Sequence, residues 1–246
     1  MDWAIYDDCY SLEAMLAEPK PSFKAKALQA SDHALQLDPD LAEANASAGL
    51  IRLVSEDFGA AEREFKKAIE LNDGLFEAYY YFARTRFHQG DMDEAADLFA
   101  KAASLAPEDY QSRLLRVQIL RGMGQIEKAK EEARQAVRVV EQHLEYHPDD
   151  VRALHLGAGS LILLGETNRA MRWLNRGLEI DPDDPISLYN VACNYATLNS
   201  VEQSLDHLER AAEIGTISAD WMSNDTDLAN LHSHPRFQAL LAKLAA

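Results

Sequence analysis

The stretch FEAYYYFARTRFHQGDMDEAADLFAKAASLAPED, residues 76–109, decides the fold. Ala95, Phe99 and Ala102 follow one another at i, i+4 and i+7, so all three fall on one face of a helix, with a large side chain between two small ones. Twelve residues before Ala95 stands Ala83, and small side chains at both places let two helices approach closely. Gly90 lies between them, a residue type that accepts the left-handed conformation ending a helix. Pro107 closes the unit.

Working outward, the small residue at Ala95 recurs as Ala27, Ala61, Ala129, Ala170 and Ser204, at intervals of 34 residues apart from a single 41. The second small position recurs as Ala34, Ala68, Ala136, Gly177 and Ala211, and the large one as Phe65, Leu174 and Leu208. The position before the turn holds Gly49, Val117, Ala158 and Ala192, with Met15 the exception. The turn itself recurs as Gly124, Gly165 and Asn199, and the closing proline as Pro39, Pro148 and Pro182. A period in this range is the mark of stacked two-helix units.

The pattern resembles the tetratricopeptide repeat (TPR) family, which runs W-x2-L-G-x2-Y, then A-x3-F, then P. It places repeats at 42–75, 76–109, 110–150, 151–184 and 185–218, preceded by a degenerate pair at 1–41 and followed by a cap at 219–246. In that first segment Glu18-Pro19-Lys20-Pro21 divides two helices, because proline forbids helix continuation. The family's Trp position holds Asn45, Tyr79, Arg113, Leu154 and Leu188, and its Pro position holds Asp73 and Thr216. Arg113 and Arg116 stand at usually buried sites, so the first helix of the third repeat is expected to be rotated or partly wet. The resemblance implies an all-α fold, a right-handed superhelical solenoid of about six antiparallel helix pairs with a C-terminal capping helix.

The 41-residue interval adds seven residues, close to two helical turns, so the second helix of the third repeat is expected to run from Ile126 to Tyr146 and protrude. After Gly215 the period ends. Trp221, Leu228, Leu231, Phe237, Leu240, Leu241 and Leu244 supply apolar cover for the last repeat, with Pro235 suited to the first turn of a final helix. From Tyr189 onward, YNVACNYA, LERA, the Trp221 segment and HPRF resemble the end of repeat segments attached to bacterial class III adenylate cyclases, serine/threonine kinases and winged-helix regulators.

With 24 basic and 41 acidic residues the formal charge is −17, which repels phosphate backbones and anionic lipid. Nucleic acid and membrane are therefore not the expected partners. Two cysteines, Cys9 and Cys193, make no disulfide framework, and neither a signal peptide nor a spanning apolar run is visible, so a cytoplasmic location is expected. No phosphate-binding, dinucleotide or nucleophile-elbow motif occurs. Gly157-Ala158-Gly159 falls inside a repeat helix and reads as close packing. His143 and His147 have the spacing of a metal pair but no third ligand, and read as a helix end. His232 and His234 read as cap residues. Asp149-Asp150 and Asp183-Asp184 precede first helices, where they favour the positive helix end. No enzyme activity, cofactor or metal is expected.

In the TPR family the first helix of each repeat lines a concave groove through positions 2, 5, 9, 12 and 13. Transferred here, that implies a partner groove carrying Tyr80, Arg84, Phe87 and His88; Gln118 and Arg121; Arg152 and His155; and Tyr189 and Cys193. Three arginines against Glu77 make this row basic within an acidic protein, a surface for an acidic peptide or a free C-terminal carboxylate. The family's carboxylate clamp is missing, its positions being Ala46, Leu50, Tyr81, Gln111 and Leu115. The expected function is a non-catalytic protein- or peptide-binding scaffold, a regulatory segment of a bacterial signalling protein. The alternative is a structural self-association module.

Overall fold

The computed structural model describes residues 21–214 and 219–244, without the side chains of residues 21–25, 220, 221, 224 and 226. The helix expected before Pro19 and the side chain of Trp221 lie outside the described residues. Two compact units divide the chain, the first ending at Ile119 and the second beginning at Leu120.

In the first unit α1 (Pro21–Leu37) precedes the pair α2 (Ala42–Val54) and α3 (Phe58–Leu71), then the pair α4 (Phe76–His88) and α5 (Met92–Leu105); α6 (Tyr110–Gly122) crosses the boundary. Lys67, late in α3, donates to the carbonyl of Pro39, just before α2, at 2.6 Å, so the pair is antiparallel. Gly49 explains the small position before the turn: a Cβ there would meet the Phe65 ring at 2.6 Å, and only glycine lets that ring lie against α2. Phe65 joins Leu50, Leu53, Ala61 and Phe82 in the core. Ala83 and Ala95 are both fully buried where α4 and α5 pack together.

The second unit holds α7 (Ile126–Tyr146), the pairs α8 (Val151–Leu163) with α9 (Thr167–Ile180) and α10 (Pro185–Thr197) with α11 (Val201–Ile214), then α12 (Ala219–Asn224), a 3-10 segment (Thr226–Leu231) and α13 (Pro235–Leu244). Ser204, standing where other repeats have alanine, donates to the carbonyl of Ala192 at 2.7 Å, tying together the two small positions of the last repeat. The protruding helix has the expected bounds, 21 residues from Ile126 to Tyr146. At its end His143 stacks on His147 with ring centres 4.7 Å apart, and its Nε2 lies 2.7 Å from Asp150 Oδ2. The other oxygen of Asp150 accepts from the Ala153 amide at 2.9 Å and caps α8. Asp184 caps α10 in the same way through Ser187, at 2.6 Å.

Every described residue in regular structure is helical, which makes the fold all-α, built from paired helices in repeat register. Four of the turns take a left-handed residue as the sequence implies: Gly90, Gly124 and Gly165 have φ of 80°, 72° and 81°, and Asn199 has 58°. A fifth, Glu56 at φ 60°, was not marked by residue type. Beyond the period, Leu228, Leu231 and Phe237 are fully buried and Leu240 nearly so, against Ala192, Leu205 and Leu208. Met222 joins them, an apolar contact the sequence reading omitted. α13 begins at Pro235, and Arg236 ties it to α11 through Glu202 (2.7 Å), Asp206 (2.8 Å) and Glu209 (2.8 Å).

Candidate functional site: the inner row of first helices

The first helices of the pairs carry the side chains the sequence assigns to a groove. The structure treats the two units differently.

In the first unit α4 is positioned by the aromatic body of Tyr80. Its ring stacks on Phe76 at 5.5 Å and meets Phe99 edge-on at 5.8 Å, leaving the residue 7 % exposed. Burying the ring of a tyrosine while its hydroxyl finds a partner is the usual compromise. Here the hydroxyl donates to Gln111 Oε1 at 3.4 Å and accepts from Arg84 Nη1 at 3.5 Å, and the Arg84 guanidinium lies 6.0 Å over the same ring. Gln111, Tyr80 and Arg84 thus form one polar file from α6 to α4. Phe87 is half-buried, and exposed His88 stacks on Phe58 at 5.9 Å. Gln118 is half-buried on α6.

In the second unit the row is already in contact with an acidic segment. Asp225 and Asp227 lie at the start of the 3-10 segment, which packs on α10. The Tyr189 hydroxyl donates to Asp225 Oδ2 at 2.8 Å, and the Cys193 thiol approaches the same oxygen at 3.6 Å. The other oxygen of Asp225 accepts from the Asp227 amide at 2.9 Å, which starts the turn. Asp227 forms an ion pair with Arg121 at the end of α6. Asn230 donates to the Ala196 carbonyl of α10 at 2.9 Å.

These contacts set the electrostatics. Burial pushes the Tyr189 hydroxyl up, with Cys193 and the charge of Asp225 adding to it, so the group is a donor at any ordinary pH. Burial, then Asp225, pushes the Cys193 thiol well up. A protonated thiol is a weak donor and a poor nucleophile. Burial raises the Asp227 carboxyl against the opposing pull of Arg121.

Arg152 is half-buried and interacts with its neighbours. His155, by contrast, is 1 % exposed and packed on Gly177 of α9, where no other residue type leaves room for its ring. Burial lowers its pKa to about 4, with Asp184 and the Leu174 carbonyl pulling back in part. Its side chain belongs to the interior of the α8–α9 pair.

The structure therefore brings Tyr80 and Arg84 together in one unit and Arg121, Tyr189 and Cys193 in the other, and it buries His155. Sequence reasoning missed Asp225, Asp227 and Asn230. The leucines of that segment mark it as apolar cover, and aspartates beside a helix or turn start are so common as caps that only their partners distinguish them.

Paired helices in a 34-residue register, with polar and aromatic side chains on the first helices, define a helical-repeat protein of the kind that presents a side-chain row to other molecules. A tetratricopeptide repeat model matches residues 47–110 and 114–185, more than half of the chain, and a second matches 86–137. The chain belongs to the tetratricopeptide repeat family. Among curated proteins it is similar to anaphase-promoting complex subunit 3 of Schizosaccharomyces pombe, 27 % identical over 107 residues. That match spans 44 % of this chain but only 15 % of the subunit's length. Among solved structures it is similar to TTC0263, a thermophilic TPR protein in Thermus thermophilus, with a TM-score of 0.57 and 20 % identity over 82 % of this chain and 99 % of that one. It is also similar to YrrB, described as a TPR protein with an unusual peptide-binding site, with a TM-score of 0.51 and 21 % identity over 75 % and 91 %. At these identities the two structures speak for the fold.

Proposed function

We propose that the chain is a non-catalytic scaffold that holds a protein or peptide partner on the inner row of its first helices, as a regulatory segment of a bacterial signalling protein acting in the cytoplasm. Residues 1–218 form the repeat array in this reading and 219–246 its cap. The partner presents an acidic side chain or a free carboxylate to Arg84, with Tyr80, Phe87 and His88 giving apolar and aromatic contact and Gln111 and Gln118 the polar edge. The second unit carries an arginine of its own at the corresponding kind of position, half-buried Arg152.

One observation carries the reading: Arg121, Tyr189 and Cys193, taken from the same row, are in contact with two aspartates on a segment outside the repeats. The row's chemistry thus suits a short acidic segment. Family membership supports it, since these repeats serve protein and peptide partners. Among the described residues no helix is long and apolar enough to cross a membrane.

A fluorescein-labelled peptide carrying Asp-x-Asp and a free C-terminal carboxylate tests the reading by anisotropy. Arg84→Glu with Arg152→Glu should reduce affinity by at least about tenfold, the scale of one lost charge-assisted contact. The helical signal and Tm should stay close to wild type. The second reading, self-association, is favoured by the exposed tip of α7, where Tyr146 is 81 % exposed. Unchanged peptide binding in the double variant, with loss of a dimer on changing Arg138 and Glu145, would replace the first reading by the second.

A further inference from the structure

The contacts of the 3-10 segment are of two kinds. Leu228 and Leu231 are apolar cover, and together with Met222, Phe237 and Leu240 they close the last repeat. Covering an apolar face needs nothing more. The aspartates do something else: they aim directed polar contacts at inner-row side chains. Asp225 takes the Tyr189 hydroxyl and faces the Cys193 thiol, while Asp227 pairs with Arg121, which lies 106 residues earlier in the chain and on α6. Asn230 adds a bond to a main-chain carbonyl of α10. An ion pair half out of water, as Arg121 and Asp227 are, contributes little net stability against an apolar alternative, and the best-attested use of such pairs is to fix which partner sits in a site and in which register. This set of contacts has the composition of a peptide-recognition site: a charged anchor, a hydroxyl donor, a main-chain contact and two apolar seats.

We infer that Arg121, Tyr189, Cys193 and the Ala196 carbonyl form a binding subsite for segments of the form Asp-x-Asp-Leu-x-Asn-Leu, that the chain's own residues 225–231 are its resident ligand, and that a partner segment of this chemistry binds by displacing them. The inference deepens the proposed function and rests on the inner row being the binding face. In the second unit that subsite is filled from within. The tether gives the resident segment a high effective concentration, so a free competitor is weak until the resident contacts are loosened.

Cys193 reports on the subsite because the resident segment covers it. In a Cys9→Ser background it is the sole thiol, and its rate of modification by a disulfide reagent in native buffer reads how often the segment lifts. Asp227→Asn should raise that rate by about tenfold or more, as expected for loss of a hydrogen-bonded charge pair. The peptide acetyl-DTDLANL-amide, residues 225–231 in isolation, should slow the rate again in this variant. It should have little effect on the parent, and it should fail to protect the double variant Arg121→Ala, Asp227→Asn. Asp225→Asn is the second variant, and far-UV circular dichroism establishes that each is folded.

If the peptide leaves the labelling rate unchanged in both aspartate variants, the segment is a cap alone and the inference is overturned. The same conclusion holds if labelling is insensitive to Asp227. Arg84-dependent binding of the labelled acidic peptide would persist in either case, so this failure is distinguishable from failure of the proposed function.

Discussion

Glu56 occupies a left-handed turn, φ 60°, that three other repeats give to glycine and one to asparagine. A Cβ in that region costs roughly 1 kcal/mol, and relief of it is what a glycine supplies, offset in part by greater freedom of the unfolded chain. Glu56→Gly is expected to raise stability by about 0.5 kcal/mol, read as an increase in the urea midpoint with an unchanged slope. A fall in midpoint would mean that the Glu56 side chain makes contacts worth more than the strain. His155 gives the second expectation at this scale. Its folded-state pKa is lowered to about 4 from 6.5, so the unfolded chain binds its proton first as pH falls. The contribution is fully present above pH 6.5 and is lost progressively toward pH 4, to the extent of about 3 kcal/mol. His155→Leu should flatten the pH dependence of Tm between those limits by a corresponding amount. Equal slopes in parent and variant would place the acid sensitivity elsewhere.

At the scale of elements, the last repeat depends on the C-terminal segment packed against it. Leu205 and Leu208 of α11 are fully buried only together with Met222, Leu228, Leu231, Phe237 and Leu240. Deletion of all residues after Gly215 exposes that face, and the truncated protein is expected to aggregate or to lose helical signal at lower temperature. Light scattering during a thermal ramp measures it; a monomer with unchanged Tm would show that α10 and α11 need no cover. Arg236→Ala is the gentler version. It removes the guanidinium facing Glu202, Asp206 and Glu209, and because the site is a third exposed the loss should be within about 1 kcal/mol. The long α7 extends the same logic: its two additional turns keep the buried stripe Ala129, Ala133, Ala136, Val137 and Val140 in phase and carry Tyr146 into solvent.

For the whole molecule, the balance of charge and apolar exposure argues for a monomer. Among the described residues, large exposed apolar ones such as Leu37, Leu71, Tyr146, Ile180 and Ile214 stand at helix ends, and a formal charge of −17 opposes close approach of copies. Size-exclusion with light scattering should give 27.5 kDa at every concentration tested. A concentration-dependent dimer that Tyr146→Glu dissolves would establish α7 as a self-association surface.

The period by itself determined the helix pairs, their turns and the extra length of α7, because each depends on residues within a few turns of one another: a small side chain against a ring, a left-handed residue, a capping aspartate. Ala95, Gly90 and Asp150 could be read in isolation. The site was legible only as a row of positions. His155 occupies a groove position by count, yet Gly177 on the neighbouring helix opens a space that takes its ring, and no spacing on α8 records what α9 lacks. Asp225 and Asp227 stand outside the period, so nothing in the repeat phase points them at Tyr189 and Arg121. Those pairings join residues 36 and 106 positions apart, and the tertiary structure alone decided them, because a half-buried carboxylate takes whichever donor the packed helices bring within reach.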